Sequence, residues 1–253
     1  MKRQIANTVY ILQNLAVPIV VFFLVGRDLA PIAYATVLIS KWRIVAVGPH
    51  FWLPNLRSNA CDIIVGLSTV ALMSSAPVAN TQIINPILVI MYAVWLLVVK
   101  PRSGATIVTI QAFIAQFYGL TSLYLLLDQA IPANFGWVVI LLAWLVGRSA
   151  GRHFLSIYPD YEARQVVISL WGFAVVQLAW VFWVWNVIYL LPQNLFAIPL
   201  IALLVSILSY IGGAFFERSQ KGLITNRFII QQGVFLTAII GLIIQFTSWT
   251  GQV

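Results

Sequence analysis

The chain has 253 residues, of which 62% are hydrophobic and 8% charged, with a net charge of +8 and a mean hydropathy of +0.98. A soluble domain needs roughly 25% charged residues to face water, so this composition excludes one and points to a chain solvated by lipid. The length leaves room for many spans and short loops but for no domain outside the bilayer, so residues 1–253 read as a single transmembrane helical domain.

Taken in order, Lys2 and Arg3 precede an apolar run over residues 7–26. A basic start, an apolar core and Ala33-Tyr34-Ala35 also fit a cleaved signal peptide, but cleavage there would place Lys41, Arg43 and Arg57 outside. Residues 29–40 are too short to cross alone. They reach across only if the helix continues to residue 47 with Lys41 and Arg43 snorkelling to the interface. Residues 42–57 combine aromatic residues with Pro49 and Pro54, which forbid one long helix and suggest a segment lying at the headgroups.

Residues 61–79 and 83–99 form an expected hairpin around Asn80-Thr81-Gln82, after which Lys100-Pro101-Arg102 returns the chain to the basic side. Further spans are expected over 105–127, 132–147, 165–191, 193–216 and 228–249, with 251–253 emerging opposite. No ten-residue alternating segments mark barrel strands. The expectation is an all-α polytopic bundle of nine spans with its amino terminus in the cytosol.

Charge supports that threading. It places Lys2, Arg3, Lys41, Arg43, Arg57, Lys100, Arg102, Arg148, Arg152, Arg164, Arg218, Lys221 and Arg227 inside, 13 of the 14 basic residues. Only Arg27 lies outside, beside Asp28. This is positive-inside asymmetry, and it accounts for the basic charge without a nucleic-acid partner. The single Cys61 excludes an internal disulfide and a cysteine zinc cage, and two histidines make a multi-histidine metal site improbable, so no metal or cofactor is expected.

Chemistry has few places to reside. GxSxG, HExxH, Walker and GxGxxG patterns are missing. No charged residue falls near a span centre; Asp62 begins its span, and Asp128 and Glu217 end theirs. Mid-span polarity is confined to groups such as Gln111, Gln116, Gln177, Ser206, Ser209, Gln231 and Gln245, which either bond neighbouring helices or touch a solute. Ala202, Ser206, Ser209 and Gly213 share a helix face and read as a packing seam. Gly147 and Gly151 form one GxxxG at the membrane edge. Trp180 and Trp183 sit mid-span, facing either a cavity or their neighbours.

Acid–base work is conceivable only at the cytosolic edge, from His153 with Asp160 or Glu162, or from His50 with Asp62. Ordinary loop charge is the competing account. Both histidines sit in His-Phe pairs ahead of a proline and a span, through either duplication or chance. Arg57, Arg148, Arg152 and Arg164 fall at one expected depth, where guanidinium forks suit a phosphate headgroup. General attraction to anionic lipid is the simpler alternative.

The stretches KWRIVAVGPHFWLPNLRSNACDIIVGLS and GRHFLSIYPDYEARQVVISLWG, about a fifth of the chain, resemble parts of uncharacterised polytopic membrane proteins of candidate-phylum bacteria with reduced genomes. That resemblance implies a bacterial inner-membrane location and no particular activity. Three functions are consistent with the residues. One is a permease or channel-like subunit for a small or amphipathic solute, with a separate membrane or ATPase partner. Another is a lipid-active enzyme at the cytosolic interface. The last is an assembly protein without a substrate.

Overall fold

The computed structural model describes residues 2–77, 80–130, 136–185, 187–190 and 197–246. The expected span starts at Pro132 and Gln193 and the expected carboxy-terminal exit over 247–253 lie outside the described residues. Ten α-helices occur among those described: α1 (Lys2–Val25), α2 (Ala30–Ile39), α3 (Trp52–Ser58), α4 (Ala60–Ser74), α5 (Thr81–Val94), α6 (Ala105–Ala130), α7 (Gly136–Phe154), α8 (Arg164–Val184), α9 (Leu200–Gln220) and α10 (Asn226–Phe246). Among the described residues, six segments are long and apolar enough to cross a membrane: Thr8–Val25, Thr81–Val99, Ala105–Leu126, Gly136–Ile157, Arg164–Val184 and Leu200–Gln220. The pair Pro49–Ser58 and Ala60–Ser74, bent by 66°, makes a seventh if it crosses as one. Helix α10 adds 21 residues, about 31 Å at 1.5 Å per residue.

The distribution of polarity is that of a membrane protein. Gln116, Thr121 and Ser206 are buried, whereas Leu12, Phe23, Ile90, Leu170, Phe173 and Val234 lie on the outside. In water such an exterior would be far too apolar for a monomer; in lipid it is the ordinary solvent-facing surface.

Two cores meet on α6. Val21, Val37, Val65, Leu88, Leu96 and Ala115 join α1, α2, α4 and α5 to one part of it. Leu120, Tyr124, Ala143, Val175, Ala179 and Val205 join α7, α8 and α9 to the other. More than half of the α6 span is buried, the largest share of the six.

Several expected boundaries change. Residues 29–47 are not one helix. Helix α2 stops at Ile39, Ser40 caps it through bonds to Thr36 and Val37 carbonyls, and a 3₁₀ turn follows over Trp42–Ile44. Lys41 does not snorkel outward; it turns into the protein, with only 9% of its side chain exposed. The run 165–191 does not continue as one tilted helix. It ends at Val184, and Ile188–Leu190 pairs antiparallel with Ala197–Pro199 in a short two-stranded ribbon within an otherwise helical bundle. Pro199, at ψ 137°, then sets the start of α9 at Leu200; proline's fixed φ and missing N–H suit a helix entry. The segment around Pro49 and Pro54 is not one long helix, as the prolines require. A 3₁₀ turn over Pro49–Phe51 leads into short α3, and Phe51, Trp52, Leu53 and Leu56 remain exposed.

The expected seam on α9 is real. Ala202 and Ser206 are buried, and Ser209 accepts from the Gln116 amide on α6. Gly213 lies at its end, where an added Cβ would stand 3.4 Å from the Phe154 ring. Gly213→Ala should therefore be almost neutral. Gly213→Leu should cost about 1 kcal/mol, at the low end for overpacking because the ring can shift. Thermal unfolding in detergent distinguishes the two.

Trp183 packs on Gly136, as the packing alternative has it, whereas Trp180 is 55% exposed, so the two do not face one cavity.

Candidate functional site

The basic loops meet in two polar layers at one end of the bundle. The first forms around Asp62 in the opening turn of α4. Lys41 Nζ and Lys100 Nζ each stand 2.6 Å from Asp62 Oδ2, and Trp95 Nε1 donates to Oδ1 at 3.0 Å. Only 6% of the Asp62 side chain is exposed.

Local structure explains this convergence. The chain following α5 widens into a π-helical turn over Trp95–Val99, closed by Lys100 N–H donating to the Trp95 carbonyl at 2.8 Å. In an α-helix, residues five apart point about 140° away from each other. The wider turn reduces that angle and brings Trp95 and Lys100 onto the same carboxylate. Lys41 arrives from the break after α2, so Asp62 ties three otherwise separate segments together.

The second layer is organised by Gln111 and Gln116 of α6. Gln111 donates to the Val99 carbonyl at 2.7 Å and the Arg102 carbonyl at 3.1 Å. Its Oε1 lies 2.7 Å from His153 Nε2. An amide oxygen only accepts, so that imidazole nitrogen carries the proton. Gln116 donates to the Val205 carbonyl at 3.1 Å and accepts from Trp171 Nε1 at 3.0 Å. These amides are engaged in joining helices. Gln177 and Gln231 instead face outward.

Neither expected acid–base pair forms. His153 binds Gln111 rather than Asp160 or Glu162, both of which are exposed on the loop before α8. Asp62 is engaged by two lysines and a tryptophan rather than by His50, whose ring leans on Phe51 with centroids 3.9 Å apart. The two His-Phe pairs therefore do different work: one is exposed in a 3₁₀ turn, the other is drawn inward by α6.

Three of the arginines lie within electrostatic reach of the fourth, Arg152. Arg148 and Arg152 lie one turn apart near the end of α7. Arg148 Nη1 donates to Ser169 on α8 at 3.0 Å, and its guanidinium stands 5.3 Å from the Trp144 ring centre. Arg164 opens α8. Arg57 lies in the last turn of α3, and Cys61 just beyond it donates its thiol to the Ser149 carbonyl at 3.8 Å, fixing that corner beside α7. Arg57, Arg148 and Arg164 all act on the Arg152 guanidinium as like charges. Among the described residues, none of the four forms an ion pair; the three pairs present are Lys41–Asp62, Lys100–Asp62 and Lys221–Glu217. Arg164 Nε is buried without a hydrogen-bond partner.

Close packing of α7 on α8 sets this geometry. A Cβ on Gly147 would stand 2.8 Å from Val175, one on Gly151 3.1 Å from the Trp171 ring, and one on Gly172 3.3 Å from Trp144. An apolar cleft of about 230 Å³ lies elsewhere, between α4, α5 and α6, lined by residues such as Leu72, Leu88, Met91 and Phe117. No group of three or more potential metal ligands occurs among the described residues.

Sequence reasoning found the arginines because they share a side. It missed the Asp62 cluster, since Lys41 read as snorkelling to the interface and Lys100 as a charge returning the chain to the basic side. The available signal was an aspartate in the first turn of an otherwise apolar span. No protein-family model matches this chain, and neither a curated protein nor a solved structure is significantly similar to it.

Proposed function

We propose that this is a nine-span protein of the bacterial inner membrane, acting as a permease or channel-like subunit for an amphipathic solute. The observation that carries this reading is the set of four arginines from three helices at one end of the bundle, with no carboxylate among the described residues paired to them. Such a set favours an anionic group at the membrane surface.

The nine spans count α4, and residues 29–47 as a broken crossing of α2 and the 3₁₀ turn after it, alongside α1 and α5 to α10; α2 alone, at ten residues, covers only about 15 Å. Support comes from the loops assigned to the cytosol, which touch one another. Lys41 and Lys100 share Asp62, Arg57 lies near enough to Arg152 to repel it as a like charge, and Phe154, Tyr158 and Tyr161 all pack on Phe216 near Arg218. An amphipathic rather than a small polar solute is favoured by how the interior amides are used. Gln111 and Gln116 bind neighbouring helices, leaving the rim and the lipid-facing surface as the places where a solute is met. The enzyme reading loses support because neither histidine–carboxylate pair forms.

Two measurements test the proposal. A reporter fused after Val253 should be exported; a cytosolic reporter would refute the odd number of spans or the orientation. Purified Arg148→Ala/Arg152→Ala protein should bind anionic lipid about tenfold or more weakly, given about 1.5–3 kcal/mol for each charged hydrogen bond. Parental affinity and salt dependence would reduce the arginines to topological charge.

A further inference from the structure

The rim offers more than diffuse positive charge. Arg57, Arg148, Arg152 and Arg164 approach from α3, α7 and α8, and Arg164 also opens a 21-residue helix. That helix begins unfavourably as it stands. Its N-cap is Ala163, which makes no side-chain hydrogen bond, and no acidic residue lies in its first turn. The first-turn amides of a helix lack intrahelical acceptors, and its dipole is positive at that end. A cation at this position and the lack of a cap both work against the helix, and an anion there would offset both. Arg164 Nε adds a buried donor with no acceptor. Exposed Asp160 and Glu162 do not pair with it.

The surface below the arginines is apolar and outward-facing. Leu145 and Leu141 lie on the Arg148 side of α7 at helical spacing, and Phe173 lies one turn beyond Ser169 on α8. All three are exposed. They form a strip running from the Arg148–Ser169 bond toward the membrane centre, with the Trp144 ring beneath the guanidinium.

We infer that this rim binds an amphiphile carrying a phosphate monoester, with the phosphate among the four arginines and the α8 amino terminus, and its chain along the α7–α8 strip. The inference rests on the rim being an anion site and specifies its ligand. A monoester carries about −1.5 to −2 charge at pH 7 and three terminal acceptor oxygens. A diester carries a single charge and presents two. Several guanidinium forks and helix amides from different directions match the first better.

The test uses full-length protein purified in neutral detergent, with equilibrium binding followed by native mass spectrometry. The probes are dihexanoyl phosphatidic acid, dihexanoyl phosphatidylglycerol and inorganic phosphate. The monoester lipid should bind about tenfold or more tightly than the diester, equivalent to one additional charged hydrogen bond. Inorganic phosphate should bind weakest. Arg57→Ala is the cleanest variant, because Arg57 is exposed on short α3 and its removal leaves the α7–α8 packing intact. It should narrow the preference for the monoester, and Arg148→Ala/Arg152→Ala should abolish it.

Equal binding of the two lipids, with both still lost on removing the arginines, would overturn the monoester inference while leaving the anion site intact. Binding of both lipids that ignores the arginines would overturn the site as well. Inorganic phosphate binding as tightly as phosphatidic acid would overturn the amphiphile, since the chain would then contribute nothing.

Discussion

Asp62→Asn should be among the most damaging single substitutions in the protein, costing about 3–5 kcal/mol, the usual range for breaking a buried ion pair. The cause is the two ammonium groups left behind. Lys41 is nearly enclosed and would retain no charged partner, whereas Lys100, with 32% of its side chain exposed, can turn toward the headgroups. Most of the loss should therefore come from Lys41. The asparagine can still accept from Trp95, so the hydrogen bond to the indole is not the deciding contribution.

The melting midpoint in detergent should fall on the order of 10 °C. Lys41→Met alone should be milder, because Lys100 continues to neutralise the carboxylate. The triple change Asp62→Leu, Lys41→Met and Lys100→Met should recover much of the loss, since apolar replacement of an entire buried ion cluster is often neutral. A triple variant as unstable as Asp62→Asn would show that the segment depends on the charges themselves. A parental midpoint for Asp62→Asn would show that Lys41 reaches water after all.

This cluster also shows what the sequence reveals and what it conceals. Span existence follows from long apolar runs, because a helix in lipid must carry enough hydrocarbon to cross. Residues 105–127, for example, were legible almost to the residue, since Arg102 precedes the apolar run and Asp128 closes it. Span ends were legible only where composition changes with the fold. Over Ile188–Leu190 it does not: Ile188, Tyr189 and Leu190 are as apolar as the helix before them, yet they pair in a two-stranded ribbon.

The site divides in the same way. Four arginines on one side of the membrane are visible as a charge pattern, and their neighbours are close at hand in sequence or topology. The Asp62 cluster depends on a π-helical turn and on the early end of α2, and neither leaves a compositional mark. The histidines mislead for a related reason. Each precedes a proline and a span, but Gln111 on α6 determines the place of His153, whereas the His50 ring leans on its neighbour Phe51.

The second large effect is expected at Gly147, where a leucine should cost about 1–3 kcal/mol through overpacking. Together with Gly151 it makes a GxxxG pattern whose position near the membrane edge seemed to weaken it, yet α7 meets α8 there at very short range. The Cβ of any residue replacing Gly147 would lie 2.8 Å from both Cβ and Cγ2 of Val175, which is fully buried and belongs to a packed core. A β-branched neighbour has little rotamer freedom to yield, so the helices themselves must separate. Small residues at a membrane helix crossing exist to permit such an approach. Separation would also move Ser169 away from Arg148, because both lie on the same seam. Gly147→Leu should therefore lower the melting midpoint and weaken anionic-lipid binding together, whereas Gly147→Ala should produce a smaller loss of both. Gly212, beside which an added Cβ meets nothing within 4 Å, is the control, and Gly212→Leu should leave both readouts near the parental values. If Gly147→Leu lowered stability while binding stayed at the parental level, the arginines would not depend on the α7–α8 seam for their arrangement.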